Sequence, residues 1–302
     1  MVKIANFELK NPIISASGTF GYADEFDVFC DVSKIGAIVT KGITLNPREG
    51  NSGQRIFETS SGMINRIGLE NIGIHRFCEE KLPILKQKNI NFILNMAGSS
   101  FDEYYQVAKI AQDNGIEAIE MNVSCPNVKS GCLEFGTDKN SLYELVLGVR
   151  KNFEGCLIVK LTPNVTSIEE LAIATKNAGA DAISAINTVR GLGIKLDFIN
   201  GKFHKTEVQG GLSGKCIKPV ALANVKKIRS VVDLPIIAMG GISCLQDLLE
   251  FLSVGADAFQ IGTQNFIKPD VCTTLADELD NFIKENGFET FENLKNTLKE
   301  IK

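Results

Sequence analysis

The residues best suited to chemistry lie in one short stretch, where a cysteine is followed by proline and flanked by asparagines. Asn122, Cys125, Pro126 and Asn127 come directly after the apolar run at 116–121. Because proline cannot continue a strand and stiffens a turn, Cys125 is expected to be held in one position. The amides of the two asparagines offer hydrogen-bond donors and acceptors. The stretch predicts a residue that moves a proton among neutral polar groups, which suits chemistry on a small polar ring. A buried structural cysteine beside a turn is the alternative.

Eight short apolar runs recur along the chain and predict the strands that position this stretch. They lie at 13–15, 37–40, 92–95, 118–122, 158–161, 182–186, 236–239 and 258–261. The runs are continuously apolar rather than alternating, as strands buried on both faces are. Between most of them lie amphipathic segments such as 102–114 and 167–178, in which Asp102 and Ser167 are the expected N-caps. Eight β–α units in 302 residues predict one (β/α)8 TIM barrel, with residues 1–302 forming a single domain.

The regions outside these units bear on the choice of architecture. A doubly wound open sheet is the competing fold, but no G-x-G-x-x-G motif follows the first predicted strand, which disfavours a Rossmann fold. Two connections, 41–91 and 187–235, are too long for plain crossovers and predict functional loops inserted at the C-terminal face of the barrel. The tail at 275–302 contains two amphipathic segments, which predict helices packed outside the barrel.

The ends of the predicted strands, where α/β barrels carry their chemistry, hold lysines, asparagines and glycines. Lys41 and Lys160 each end an apolar strand, where a lysine is costly unless it meets an anion or a polar acceptor. The alternative is that both side chains extend to solvent. Glycine turns at 240–241 and 262–263 follow the last two strands, where barrels commonly bind a phosphate. These ends predict a planar cofactor with a phosphate and a small anionic amide substrate.

Composition and charge disfavour several classes of partner. The net charge is −4 and the 32 lysines and arginines are scattered, so neither nucleic acid nor a membrane surface is expected as a partner. No apolar run reaches 18 residues and the start of the chain does not resemble a signal peptide, so a cytoplasmic protein is expected. The eight cysteines include no C-x-x-C pair and the two histidines are far apart, so no metal site is predicted in this chain.

At these residues the chain resembles the class 1 dihydroorotate dehydrogenases, which are FMN-containing α/β-barrel enzymes of pyrimidine biosynthesis. The matching motifs are SASGTFG (15–21), TKGIT (40–44), GMINRIGLEN (62–71), NMAG (95–98), NVSCPN (122–127), VKLTPN (159–164), INT (186–188), GGLSGKCIKP (210–219), AMGGI (238–242) and QIGT (260–263). They run nearly the whole length of the chain. A shared barrel fold alone would not produce so many ordered matches.

The resemblance implies a flavin site, a substrate site and a catalytic base. The FMN contacts would be Ser17, Lys41, Asn95, Asn122, Lys160, Ile186, Gly214, Gly240, Gly241, Gly262 and Thr263. The dihydroorotate contacts would be Lys41, Asn65, Arg66, Ile67, Gly68, Leu69, Asn122, Asn187 and Thr188. Cys125 would remove the proton from C5 of dihydroorotate, while the hydride from C6 passes to N5 of FMN. Lys160 is suited to the N1 and O2 side of the flavin, where negative charge accumulates on reduction.

Two segments resemble the NAD-linked type 1B enzymes more than the fumarate-linked class 1A, which stays the alternative subtype. They are VKSGCLEFG (128–136) and GGLSG (210–214). Type 1B implies a partner subunit that carries FAD and a 2Fe–2S cluster, in a heterotetramer with two copies of each chain. Because this chain has neither a dinucleotide motif nor cluster-binding cysteine spacing, electrons would reach NAD through that partner. Cys125 and the short amino terminus disfavour the membrane-bound class, which uses a serine base.

Several positions depart from the pattern of the family, and two rival functions stay open. Lys215 and Cys216 stand where Pro-Ala is commoner, and Arg66 and Glu70 stand where smaller or neutral residues are commoner. One rival is a dihydropyrimidine dehydrogenase acting on uracil or thymine. Because orotate carries a carboxylate, the cationic Lys41 and the loop at 65–69 are the features that discriminate between the two. The other rival is a barrel that binds flavin without turnover, which would need no proton acceptor.

Overall fold

A closed barrel of eight parallel strands lies at the centre of the computed structural model, which describes residues 1–22, 26, 28–124 and 135–299. Along the described part the strands are β1 (Val2–Ile4), β2 (Phe7–Leu9), β3 (Ile13–Ser15), β4 (Ala37–Val39), β5 (Ile56–Thr59), β6 (Gly62–Asn65), β7 (Phe92–Met96), β8 (Ala118–Asn122), β9 (Cys156–Leu161), β10 (Ala182–Ala185), β11 (Val189–Ile199), β12 (Lys202–Ser213), β13 (Ile236–Met239) and β14 (Ala258–Ile261). The barrel order is β3–β4–β7–β8–β9–β10–β13–β14, closing back on β3. The predicted (β/α)8 barrel is therefore confirmed, and each predicted run forms one of its strands.

Helices surround the barrel. They span Ile74–Arg76, continued by a π-helical turn at Phe77–Lys81 into Leu82–Gln87, then Phe101–Asp113, Lys139–Arg150, Ile168–Asn177, Lys218–Arg229, Leu245–Ser253, Gln264–Ile267, Val271–Glu285 and Phe291–Lys299, with 3-10 turns at Val32–Lys34, Phe135–Thr137 and Lys215–Ile217. Ser167 is an N-cap, as predicted. The prediction of Asp102 as an N-cap is wrong, because the extended Ser100 precedes that helix and its hydroxyl accepts the N–H of Glu103.

An apolar cluster fills the amino-terminal end of the barrel interior, and the antiparallel hairpin β1–β2 packs against it. The buried members of the cluster are Val2, Ile4, Phe7, Leu9, Ile14, Ala37, Val39, Ile93, Ala118, Cys156, Ile158, Ala182, Ile237 and Ala258. Burial raises the pKa of the Cys156 thiol to about 12, so this cysteine is a neutral filler. The hairpin therefore closes one end of the barrel with apolar side chains.

A four-stranded antiparallel sheet lies at the opposite end, in the order β11–β12–β6–β5. It is built from the two long connections that the sequence predicted as loops, so that prediction missed their strands. Gly211 of β12 pairs with Asn65 of β6, which joins the two connections to each other. Strands β11 and β12 meet at a turn with positive φ at Asn200 and Gly201 (52° and 75°), the conformation that an Asn-Gly hairpin favours.

The carboxyl-terminal tail forms the two predicted helices outside the barrel. Leu294 of the last helix is buried in the main core, and Lys295 Nζ lies 3.2 Å from Asp257 Oδ1. That contact ties the tail to the turn before β14. Among the described residues, no helix is both long enough and apolar enough to cross a membrane.

Candidate active site

A cavity of about 1390 Å³ opens between the carboxyl ends of the barrel strands and the antiparallel sheet. Its lining includes every described residue that the sequence assigned to the cofactor or the substrate: Ser17, Lys41, Asn65, Arg66, Ile67, Gly68, Leu69, Asn95, Asn122, Lys160, Ile186, Asn187, Thr188, Gly214, Gly240, Gly241, Gly262 and Thr263. The predicted base, Cys125, lies outside the described residues. The fold thus gathers these residues around one space, and their individual roles stay predictions.

Two asparagines at the ends of β8 and β10, the strands on either side of β9, are fixed by hydrogen bonds. Asn187 Nδ2 donates to Asn122 Oδ1 at 3.0 Å, and Asn187 Oδ1 accepts the N–H of Thr188 at 2.8 Å. The Tyr104 hydroxyl donates to the carbonyl oxygen of Asn122 at 2.7 Å. These bonds fix the orientation of both side-chain amides. The pair can therefore present hydrogen-bond donors and acceptors in fixed positions to a ring-shaped ligand.

A fully buried carboxylate, that of Glu120, holds two of the cavity residues from the barrel interior. Glu120 Oε1 accepts from Asn95 Nδ2 at 2.7 Å and lies 3.4 Å from Lys160 Nζ. Glu120 Oε2 accepts from Ser184 Oγ at 2.8 Å and from Gln260 Nε2 at 2.5 Å. The side chain of Lys160 is only 7% exposed, so the alternative that it extends to solvent is wrong. Glu120 could not be singled out from the sequence, because it lies inside an apolar run.

Only one of the two polar atoms of the Asn95 amide has a hydrogen-bond partner among the described residues. Its Nδ2 donates to Glu120, while its Oδ1 is buried and has no hydrogen-bond partner among the described residues. A buried acceptor without a partner is costly, so a ligand that donates a hydrogen bond there would stabilise the site. Asn95 also lines the cavity, so the residue that carries this acceptor is one that a planar heterocycle could contact.

The glycine turn after β13 packs too closely against its neighbours to accommodate a side chain. Gly240 and Gly241 have φ values of 125° and 76°, which favour glycine. A Cβ atom on Gly241 would lie 2.8 Å from Lys218 Cβ and 3.0 Å from the Gly214 carbonyl oxygen. The turn after β14 is joined to the sheet, since Thr263 Oγ1 donates to Ser213 Oγ at 2.8 Å. Both turns therefore bring backbone close to the cavity, as a bound phosphate requires.

Beside the loop at 65–69, Lys41 and Glu70 form a charged edge of the cavity. Lys41 Nζ lies 3.0 Å from Glu70 Oε1, and the other oxygen of that carboxylate pairs with Arg55. These two cations, Lys41 first, hold the pKa of Glu70 below its usual value. One acidic side chain therefore bridges two basic ones at the point where an anionic substrate is expected.

A buried asparagine that the sequence analysis did not single out fixes this loop. Asn71 Oδ1 accepts the N–H groups of Thr44 (3.2 Å) and Gly73 (2.8 Å), and Asn71 Nδ2 donates to the Leu69 carbonyl oxygen at 2.7 Å. Leu69 itself has a positive φ of 55°, an uncommon conformation for leucine. Asn71 therefore maintains a backbone shape that the loop would not adopt alone.

The fold and the cavity define an α/β barrel whose cavity lies at the carboxyl ends of its strands, where barrel proteins carry their active sites. A family model described as dihydroorotate dehydrogenase matches residues 1–283, and the chain belongs to this family of oxidoreductases. The family resemblance expected from the sequence motifs is confirmed.

Curated relatives match the chain over nearly its full length. The chain is 46% identical over 287 residues to a protein of Geotalea uraniireducens, with 95% of this chain and 93% of the relative covered. It is 46% identical to a protein of Parabacteroides distasonis (97% and 96% covered) and 41% identical to one of Thermoanaerobacter pseudethanolicus (99% and 98% covered). Each of these relatives is named dihydroorotate dehydrogenase B (NAD(+)), catalytic subunit.

Proposed function

We propose that this chain oxidises (S)-dihydroorotate to orotate in pyrimidine biosynthesis, as the FMN-binding catalytic subunit of an NAD-linked enzyme. The observation that supports this most is the convergence of a lysine, paired asparagines and a rigid loop on one cavity of a chain of this family. On this proposal residues 1–302 form one cytoplasmic domain.

The cavity suits FMN on three counts. The open acceptor of Asn95 fits a donor on a heterocycle, Lys160 supplies a cation beside it, and the turn at Gly240 and Gly241 suits a phosphate. The residues that would hold FMN are the eleven FMN contacts that the family resemblance implies, of which Ser17 is the first and Thr263 the last. When bound, FMN would accept the hydride that leaves C6 of dihydroorotate.

The residues of this chain would bind and orient the substrate. Lys41 would attract its carboxylate, and the hydrogen-bonded Asn122 and Asn187 would hold its ring. The loop at 65–69, fixed by Asn71, would cover it and exclude water. Cys125 would take the proton from C5, since it follows the Asn122 strand end by three residues.

The electrons would leave through a second chain. The relatives are named as catalytic subunits of NAD-linked enzymes, which supports a partner that receives electrons from the flavin. We propose a partner carrying FAD and a 2Fe–2S cluster, in a heterotetramer of two chains of each kind. This chain alone would then reduce a dye but reduce NAD poorly.

Turnover by the purified, FMN-loaded chain tests the proposal. We expect oxidation of dihydroorotate with an artificial dye, little oxidation with NAD, and no oxidation of dihydrouracil. Preference for dihydrouracil would assign the chain to dihydropyrimidine oxidation instead. Efficient reduction of fumarate without a partner would indicate class 1A, and a yellow protein that turns over neither substrate would indicate a flavin-binding barrel without activity.

A further inference from the structure

Glu120 is the one buried carboxylate, among the described residues, that contacts the interior side of the candidate flavin site. Its side chain is fully buried and does not line the cavity, whereas its partners Asn95 and Lys160 do. Strand β8 places it there because residues 118, 120 and 122 share a face, so Glu120 points the same way as Asn122. The proposed reaction itself gives Glu120 no role.

The Glu120 carboxylate accepts hydrogen bonds from four side chains, which lie on four different strands. Besides Asn95 and Lys160, the Ser184 hydroxyl and the Gln260 amide donate to it, and neither of these two lines the cavity. A carboxylate can accept this many bonds, and its charge is matched by one ammonium group. The arrangement therefore satisfies a buried charge and at the same time fixes the two cavity residues.

We propose that Glu120 is a positioning residue that sets both the hydrogen-bond polarity and the charge of the flavin site. By accepting from Asn95 Nδ2, it turns Asn95 Oδ1, the acceptor without a partner, away from itself and leaves it for a ligand. By pairing with Lys160, it offsets the positive charge next to the cavity. This inference rests on the proposed binding of FMN.

The charge balance has a consequence for the reduction potential. Lys160 stabilises the negative charge that a flavin gains on reduction, and Glu120 opposes that stabilisation at 3.4 Å from the same ammonium group. Glu120 should therefore lower the potential of bound FMN. A lower potential favours passing electrons onward to an acceptor such as NAD through the partner.

The substitution Glu120→Gln removes the charge with little change in size. The interior can accommodate the new amide because Gln260 Oε1 has no partner in the described part of the chain and can accept from it after an amide rotation. Ser184→Ala is the matched control, since it deletes a donor to the same carboxylate, retains both charges and changes no cavity residue.

The experiment measures the midpoint potential of bound FMN and its dissociation constant in the parent and both variants. We expect Glu120→Gln to favour reduced over oxidised FMN at least tenfold, which is about +30 mV for a two-electron couple. Ser184→Ala should keep the parent potential. An unchanged or lower potential in Glu120→Gln, or an equal rise in both variants, would overturn the inference. A parent chain that binds no FMN would instead refute the proposed function.

A double variant keeps the inference testable if Glu120→Gln folds but is too unstable to retain FMN. Removing one partner of a buried ion pair destabilises a protein strongly, whereas removing both charges is often neutral. The melting temperature of the flavin-free Glu120→Gln/Lys160→Met protein should therefore exceed that of Glu120→Gln alone. A double variant that is no more stable than Glu120→Gln would show that Glu120 does not act as the charge partner of Lys160.

Discussion

The two ends of the barrel interior differ in chemistry, although the same strands build both. On five strands an apolar residue of the amino-terminal cluster is followed, two positions later, by a polar residue near the cavity. The pairs are Ile93 and Asn95, Ala118 and Glu120, Ile158 and Lys160, Ala182 and Ser184, and Ala258 and Gln260. Residues two apart on a strand point to the same face, so both members of each pair face the barrel interior. The interior therefore changes from an apolar layer to a polar layer over two residues of each strand.

One layer of the barrel interior stabilises the fold, and the other is available for chemistry. The amino-terminal layer buries apolar groups that need no partner, so it gains free energy from burial alone. The carboxyl-terminal layer buries polar groups, each of which must find a partner or remain costly. Asn95 Oδ1 and Gln260 Oε1 remain without one among the described residues. These two open acceptors therefore belong to the polar layer at the cavity end of the barrel.

The largest expected effect compares the predicted base, Cys125, with a cysteine of the apolar layer, Cys156. Cys125→Ala should retain FMN but reduce it about 10²–10⁴-fold more slowly with dihydroorotate, because a positioned base is lost. Cys156→Ala makes the same chemical change in the apolar layer and should leave that rate unchanged. Anaerobic stopped-flow absorbance measures both. Parental rates in Cys125→Ala would mean that another residue is the base.

The next effect is a loss of stability that should leave FMN binding unchanged. Ile158→Ala opens a cavity in the fully buried apolar layer, which should reduce the free energy of unfolding by roughly 2–5 kcal/mol. Denaturant titration measures this loss. The affinity of the folded variant for FMN should equal that of the parent, because Ile158 does not line the cavity. A large loss of FMN affinity would show that the two layers are not separable.

A smaller effect is expected at the glycine turn. Gly241→Ala and Gly287→Ala both place a side chain at nearly the same positive φ (76° and 74°), so the backbone strain is matched. Only at Gly241 would the new Cβ meet neighbouring atoms, since nothing lies within 4 Å at Gly287. We expect FMN affinity to fall about tenfold, or ~1.4 kcal/mol, in Gly241→Ala alone. Equal affinities, measured by flavin fluorescence, would contradict the phosphate assignment.

The smallest effect is expected at the charged edge of the cavity. Glu70→Gln removes a carboxylate that competes for Lys41, so orotate should bind a few-fold more tightly, as expected for a partly exposed pair. Glu80→Gln, which breaks an exposed helical pair with Arg76, is the control and should have no effect. Spectral titration with orotate measures both. Weaker binding in Glu70→Gln would mean that Glu70 positions Lys41 for the substrate.

The gain in orotate affinity expected for Glu70→Gln should depend on pH, because the pKa of Glu70 is lowered. Glu70 is ionised above its ordinary pKa, so the gain from Glu70→Gln should be fully present at neutral pH. It should disappear only as the pH falls through the lowered value, where the parent also loses this charge. Orotate titrations at several pH values check the sign. A gain that increases toward acid would contradict it.

The sequence was sufficient to predict the barrel but not its polar interior. Continuous apolar runs marked all eight strands, because strands buried on both faces leave a local signal. Glu120 lies within such a run, and its four partners come from strands distant in sequence, so its role emerges only when the barrel closes.

The antiparallel sheet was missed although the chain carries a signal for part of it. Leu192, Ile194, Leu196 and Phe198 alternate along β11, and Asn200-Gly201 follows. Period-two alternation with an Asn-Gly turn predicts a hairpin, but the pairing of β12 with β6 joins residues 150 apart at Met63 and Ser213. Such register has no local signature.

Anaerobic titration of the FMN-loaded chain with dihydroorotate tests the central claim most directly. The claim is that the polar end of the barrel alone, without a partner chain, removes a proton and a hydride from this substrate. We predict that the flavin absorbance bleaches to completion with one equivalent of dihydroorotate per FMN, that one equivalent of orotate forms, and that dihydrouracil leaves the flavin oxidised. A flavin that stays oxidised in the presence of excess dihydroorotate would contradict the account.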